Sequence, residues 1–199
     1  MSVAKGQDPQ ADSLLQHTPP SVRLAIPSIC YTEALSIWHK QKEYSQQFQR
    51  ELDKQINDSA RDNTSAHAKS FLFYLEQCRL SNKLRLNDIQ SRLYQAINEL
   101  LSKAEMLTLS AEVMREIAEV TLLEPEIAPI KNDLMDNLIL RCIIRHADLN
   151  STEDKVFLSG NSNDFGKQNV QEALRNAGVD KYFIRAQDFL GWLQSQPSG

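Results

Sequence analysis

Short β-compatible runs, separated by helical stretches and never by a tight hairpin turn, most restrict what this chain of 199 residues can become. Strands that cannot close hairpins pair in parallel through crossovers, and parallel sheets need helices over their faces. The first run, Val22-Arg23-Leu24-Ala25-Ile26, stops at Pro27, which cannot donate to a sheet ladder. Met106-Leu107-Thr108-Leu109 ends at Ser110, a suitable N-cap for a helix through Glu119. Lys155-Val156-Phe157-Leu158 breaks into the turn Gly160-Asn161-Ser162-Asn163, and a helix from Gln168 to Asn176 then closes at Gly178. Tyr182-Phe183-Ile184 precedes a last helix, Gln187 to Leu193. The expected fold is α/β: a three-layer α/β/α sandwich with a mainly parallel sheet of about four short strands.

The helical stretches are long. Strong helix formers run from Tyr31 through Lys54, and Phe71 to Arg79 and Leu86 to Ala104 repeat apolar residues at three- and four-residue spacing, around a polar turn at Asn57 to Ser65. This predicts a large helical insertion, about residues 38–104, after the first strand. Residues 1–20 hold Gly6, Pro9, Pro19 and Pro20 with no apolar period, which predicts a flexible N-terminal tail ahead of one domain over 21–199. Leu134 to Ala147 is almost continuously apolar and must be mostly buried; Asn132 and Asp133 are its capping candidates.

Composition excludes several classes. Hydrophobic content of 41% with 24% charged residues is that of a globular protein, and no run approaches the ~20 apolar residues of a membrane span. The N-terminus lacks a secretory pattern, and Cys30, Cys78 and Cys142 read as buried free thiols of a reducing cytosol. Net charge is −4, split between +3 over Trp38 to Lys103 and −7 elsewhere, which argues against nonspecific nucleic-acid binding. With no Gly-rich phosphate loop, no CxxC pair and no HxxxH spacing, nucleotide-hydrolase, dinucleotide-binding and zinc-module readings lack support.

In open parallel sheets, ligands bind beyond the carboxyl ends of the strands. Acids and amides gather after three of these runs: Glu33, then Asp133 and Asp136, then Asn161 and Asp164. A carboxylate early in a helix is favoured by the helix dipole without any ligand, so capping competes with function, most plainly at Asp133. An acid has less reason to persist in an otherwise apolar helix, which singles out Asp136.

Three segments carry a resemblance. Pro27-Ser28-Ile29-Cys30-Tyr31-Thr32-Glu33-Ala34-Leu35 is similar to the strand-to-helix junction of bacterial PIN-domain proteins that bears their second acid. Asp136-Asn137-Leu138-Ile139-Leu140-Arg141-Cys142 resembles the helix start bearing the third. Phe157-Leu158-Ser159-Gly160-Asn161-Ser162-Asn163-Asp164-Phe165 resembles the strand and turn bearing the fourth. The resemblance implies carboxylates that hold Mg²⁺ or Mn²⁺ and hydrolyse RNA phosphodiesters, with Glu33, Asp136 and Asp164 as catalytic acids and metal ligands and Asn161 as a further ligand. Hard divalent cations take oxygen ligands and turn bound water into a nucleophile, so these residue types suit the chemistry. The family opens with a hydrophobic strand ending in Asp, and the chain has no such strand; Asp8 and Asp12 lack the apolar run before them. Either the reading frame starts upstream or the site is incomplete. The expected activity is a metal-dependent ribonuclease acting on RNA in the cytoplasm. The alternatives are a non-catalytic interaction protein using its helical block as a partner or homo-oligomer surface, and the toxin of a toxin–antitoxin pair.

Overall fold

The computed structural model describes residues 1–131 and 133–196. In chain order they form α1 (Pro9–Gln16), β1 (Leu24–Pro27), α2 (Ser28–Ser59), α3 (Ala66–Lys103), β2 (Ala104–Leu107) and α4 (Ala111–Leu123). A 3₁₀ turn (Pro125–Ile127) leads to α5 (Leu134–Leu149), β3 (Val156–Leu158), α6 (Ser162–Phe165), α7 (Gln168–Asn176), β4 (Lys181–Phe183) and α8 (Ala186–Gln194). The protein is therefore a helix-rich α/β chain with short strands. Among the described residues no helix is long and apolar enough to cross a membrane.

The strands pair in parallel, as their helical connections require, but in two ladders instead of one. β1 lies beside β2 with Leu24 opposite Ala104 and Pro27 opposite Leu107; β3 lies beside β4 with Val156 opposite Lys181 and Leu158 opposite Phe183. Among the described residues no ladder joins the two pairs, which corrects the expectation of a single sheet. What links them is a helix. α5 packs on β1 and β2, and its buried Ile139, Leu140 and Ala147 share a core with Val170 and Leu174 of α7. Phe157 of β3 and Tyr182 of β4 close over that same core. A second cluster joins Leu138 and Cys142 of α5 to Val113 and Ile117 of α4. The near-continuous apolar run of α5 follows: it has neighbours on most of its circumference, so few positions face water.

Local chemistry sets the boundaries. Ser110 Oγ accepts from the Val113 amide to start α4, and Gly178, at φ +80°, ends α7 in a left-handed turn that a side chain would strain. The expectation of a tail over residues 1–20 is corrected at α1. Asp8 accepts from the Ala11 amide at 2.8 Å, Pro9 occupies the first turn where its missing N–H costs nothing, and Leu14 and Leu15 are buried. At the other end Lys103 Nζ donates to the carbonyls of Leu15 and Gln16, both at 2.9 Å, placing a cation where the helix dipole favours one.

The chain divides into two compact units, one of Met1–Gln7 with Ala34–Ala96, the other of Asp8–Glu33 with the residues from Ile97 onward. The first is built on the α2 and α3 segments as an antiparallel hairpin. Leu52 and Ile56 of α2 and Ile89 and Leu93 of α3 are among its buried side chains, and Asn82 Nδ2 donates to the buried Ser45 Oγ at 3.0 Å. Its turn is shorter than expected, because α2 runs on to Ser59; Asp62 then accepts from the amides of Thr64 and Ser65 and launches α3. Cys142 is buried and Cys30 partly so, whereas Cys78 is exposed on α3, which corrects the expectation of three buried thiols.

Leu140 tests the role given to α5. Its side chain is 0% exposed, so Leu140→Ala should cost about 3 kcal/mol, and the midpoint of thermal unfolding should fall by about 6–12 °C. A shift under about 2 °C would show that α5 does not hold the core.

Candidate active site

α5 begins under tension between two demands: its apolar body must be buried, yet its first turn carries an acid. Asp133 resolves half of this by N-capping, its Oδ1 accepting from the Asp136 amide at 3.0 Å. The capping role read for Asp133 is thus realised; Asn132, the other capping candidate, lies outside the described residues. Asp136 itself is only 7% exposed. Removing a carboxylate from water disfavours its charged form.

Asn137, next along, is 8% exposed and holds the loop before α5. Its Nδ2 donates to the carbonyls of Ile130 (2.6 Å) and Asp133 (2.8 Å), and its Oδ1 accepts from the Ile130 amide at 3.2 Å. Ile130 is fully buried, so Asn137 satisfies backbone groups that water cannot reach. In the sequence Asn137 is marked only as a second polar side chain inside an apolar run.

The β3 end brings the partners. Tyr182 Oη donates to the Ser159 carbonyl at 2.9 Å, and Ser159 Oγ accepts from the Asn161 amide at 3.3 Å, which fixes the chain where it leaves the strand. Asn161 Nδ2 then donates to Asp136 Oδ2 at 2.7 Å and to Asp164 Oδ2 at 3.2 Å. α6 is a tight single turn. A Cβ at Gly166 would collide with the Ser162 carbonyl oxygen, so glycine permits the closure that carries Asp164 back to Asn161. Lys167 Nζ meets the other oxygen, Asp164 Oδ1, at 2.7 Å.

Of the four residues singled out, Asp136, Asn161 and Asp164 thus form one hydrogen-bonded group. Glu33, on the second turn of α2, adds its charge to Asp136 and to Cys30. Burial first, then the negative charges of Asp133, Asp164 and Glu33, push the Asp136 carboxyl up to about 6, against the Asn161 hydrogen bond. Burial and then Glu33 push the Cys30 thiol up to about 12, so it stays protonated and inert. Asp164 goes the other way: its hydrogen bond from Lys167 holds it below the usual carboxylate range.

The donor set can be tested against a metal. Its two carboxylates offer the oxygen ligands a hard divalent cation prefers, while the amide between them presents its nitrogen. Among the described residues no group of three or more His, Cys, Asp or Glu side chains is gathered tightly enough to hold an ion. Asp136 and Asp164 thus offer carboxylate oxygens without a third acid gathered tightly beside them. The Asn161 N–H groups face both carboxylates and offset their repulsion; turning the amide would present oxygen instead.

A family model described as PIN domain matches residues 2–165. That span contains all four residues of the cluster. No curated protein and no solved structure matches the chain.

The raised Asp136 makes a signed prediction. The folded state keeps its proton up to about 6 while the unfolded chain releases it near 3.8, so folding is penalised increasingly as pH rises through that window and fully above it. Asp136→Asn removes the penalty. Its stability relative to the wild type should be unchanged near pH 3.5 and should rise to about 2 kcal/mol in its favour above pH 6.5, in chelator and by urea unfolding. A pH-independent difference would contradict the burial argument. Asn137→Ala, by contrast, should destabilise by about 2–3 kcal/mol at every pH, because it strands two buried backbone groups.

Proposed function

The chain belongs to the PIN-domain family, and on that premise we propose that it is a metal-dependent ribonuclease whose site is the Asp136–Asn161–Asp164 group with Glu33 beside it. The family in general consists of metal-dependent nucleases, and the reading extends to this chain the three-layer arrangement and a cytoplasmic, bacterial setting. The observation that carries it is the Asn161 amide bridging Asp136 and Asp164, with the Asp136 carboxyl raised to about 6 by burial and by three neighbouring acids. Such a concentration of negative charge lowers stability unless a counter-charge binds.

A bound Mg²⁺ or Mn²⁺ ion supplies a nucleophilic water at neutral pH and offsets charge on the phosphate. The chain's residues do the rest. Asp136 and Asp164 hold and orient the ion, Asn161 sets the gap between them, and Glu33 adds negative charge and serves as a ligand directly or through water. Lys167, exposed and one residue beyond Gly166, supplies a positive charge suited to a phosphodiester once it leaves Asp164. RNA is the proposed substrate.

Lys167 also favours a second reading. Its ion pair with Asp164 at 2.7 Å, together with the absence of a three-acid group among the described residues, suits a PIN scaffold that has exchanged catalysis for binding a protein, such as an antitoxin.

Single-turnover cleavage of a fluorescent single-stranded RNA in Mn²⁺ distinguishes them. The ribonuclease reading expects cleavage abolished by chelator and reduced about 10²-fold or more by Asp136→Asn, with Lys167→Ala weakening RNA binding. Wild-type cleavage no faster than that of Asp136→Asn would reject it and leave the binding reading.

A further inference from the structure

The α3 helix has two apolar faces, and the hairpin uses one. Ile89 and Leu93 point into the hairpin and are buried. Phe73, Leu80, Leu84 and Tyr94 are 57%, 51%, 53% and 70% exposed, and at about 3.6 residues per turn they fall on the opposite side of the helix. Their spacing is ordered: Phe73, Leu80 and Tyr94 share one position of a seven-residue repeat, and Leu84 lies in the companion position four residues after Leu80. Exposed Gln77, Asn87 and Ser91 complete the seam from Phe73 to Tyr94.

We propose that this seam is a parallel, in-register dimerisation site for a second copy of the chain. A seam of this period is the surface two helices need to interlock along their length, and the flanking charges say which helix fits. Lys83 precedes the Leu84 position and Asp88 follows the Asn87 position, so in a parallel pair Lys83 of each helix meets Asp88 of the other, five residues on. Both are exposed, and neither has an ion-pair partner among the described residues of its own chain. An antiparallel pair would bring Lys83 beside the other helix's Lys83 row and never beside Asp88. Asn87, in the middle of the seam, would face its own copy, where two amides hydrogen-bond across the pair and penalise any shifted register. Gln77 and Ser91 keep the seam from being fully apolar, so the association is reversible and concentration-dependent.

Sedimentation velocity of the full chain from about 2 to 200 μM should show a monomer passing to a dimer, with no larger species. Leu80→Glu with Leu84→Glu should abolish the dimer, raising the dissociation constant at least about 100-fold, with an unchanged circular dichroism spectrum. Orientation is read by oxidative cross-linking in a Cys78→Ser background, where the remaining Cys30 and Cys142 are partly or fully buried. Leu80→Cys and Asn87→Cys, each introduced alone, should both give disulfide-linked dimers. A monomer at every concentration, a dimer that survives the double glutamate change, or cross-linking at only one of the two positions would each overturn the proposal.

Discussion

A carboxylate held at 7% exposure on the first turn of α5 is the constraint around which the larger unit is organised. An acid can be buried only if its charge is suppressed, hydrogen-bonded or paired, and Asp136 meets the first two conditions at once. Its proton is retained to about 6, and the Asn161 amide donates to it at 2.7 Å. That hydrogen bond requires Asn161 to leave β3 at a set point, which Ser159 and Tyr182 enforce, and it requires the tight α6 turn, which Gly166 permits. Asn137 then ties the approach to α5 so that the first turn cannot drift.

The same residues set stability against chemistry. A leucine at 136 would suit the core better, and the neighbouring charges of Asp133, Asp164 and Glu33 make ionisation there costlier still. The cation of the proposed function would favour ionisation of Asp136 against those neighbouring charges. Asp164, already paired with Lys167, is the cheaper of the two acids to keep ionised, and so below about pH 6 the pair differs: Asp164 charged, Asp136 holding its proton. Groups pushed apart in this way are characteristic of sites where one member must change state during function.

Much of this was legible from the residues alone. The order of strands and helices, the Ser110 cap, the Gly178 stop and the buried run of α5 follow from local rules that the tertiary structure did not override. Asn161 and Asp164 were legible as a pair because they leave the carboxyl end of β3, whereas Asp136 meets them from the first turn of α5, which no strand directly precedes. What was not legible has physical reasons. α1 hides in a segment with three prolines, since its stability comes from packing of Leu14 and Leu15 and not from propensity. The split into two ladders depends on which strand edges meet, which no single strand records. The role of Asn137 depends on its reach to the Ile130 backbone, seven residues earlier. The exposure of Cys78 depends on how closely α2 covers that stretch of α3, which the apolar residues beside it do not record.

Asp136 is a buried acid whose carboxyl is raised by burial and neighbouring charge, and the proposed function puts a cation beside it. Carbon-detected NMR titration of the aspartate carboxyl resonances, with and without Mg²⁺, measures this directly. The account predicts that the Asp136 carboxyl titrates at about 6 in chelator and that Mg²⁺ lowers its midpoint by about one unit or more. An ordinary aspartate midpoint near 4 in chelator, or a raised one that Mg²⁺ leaves unmoved, would contradict it.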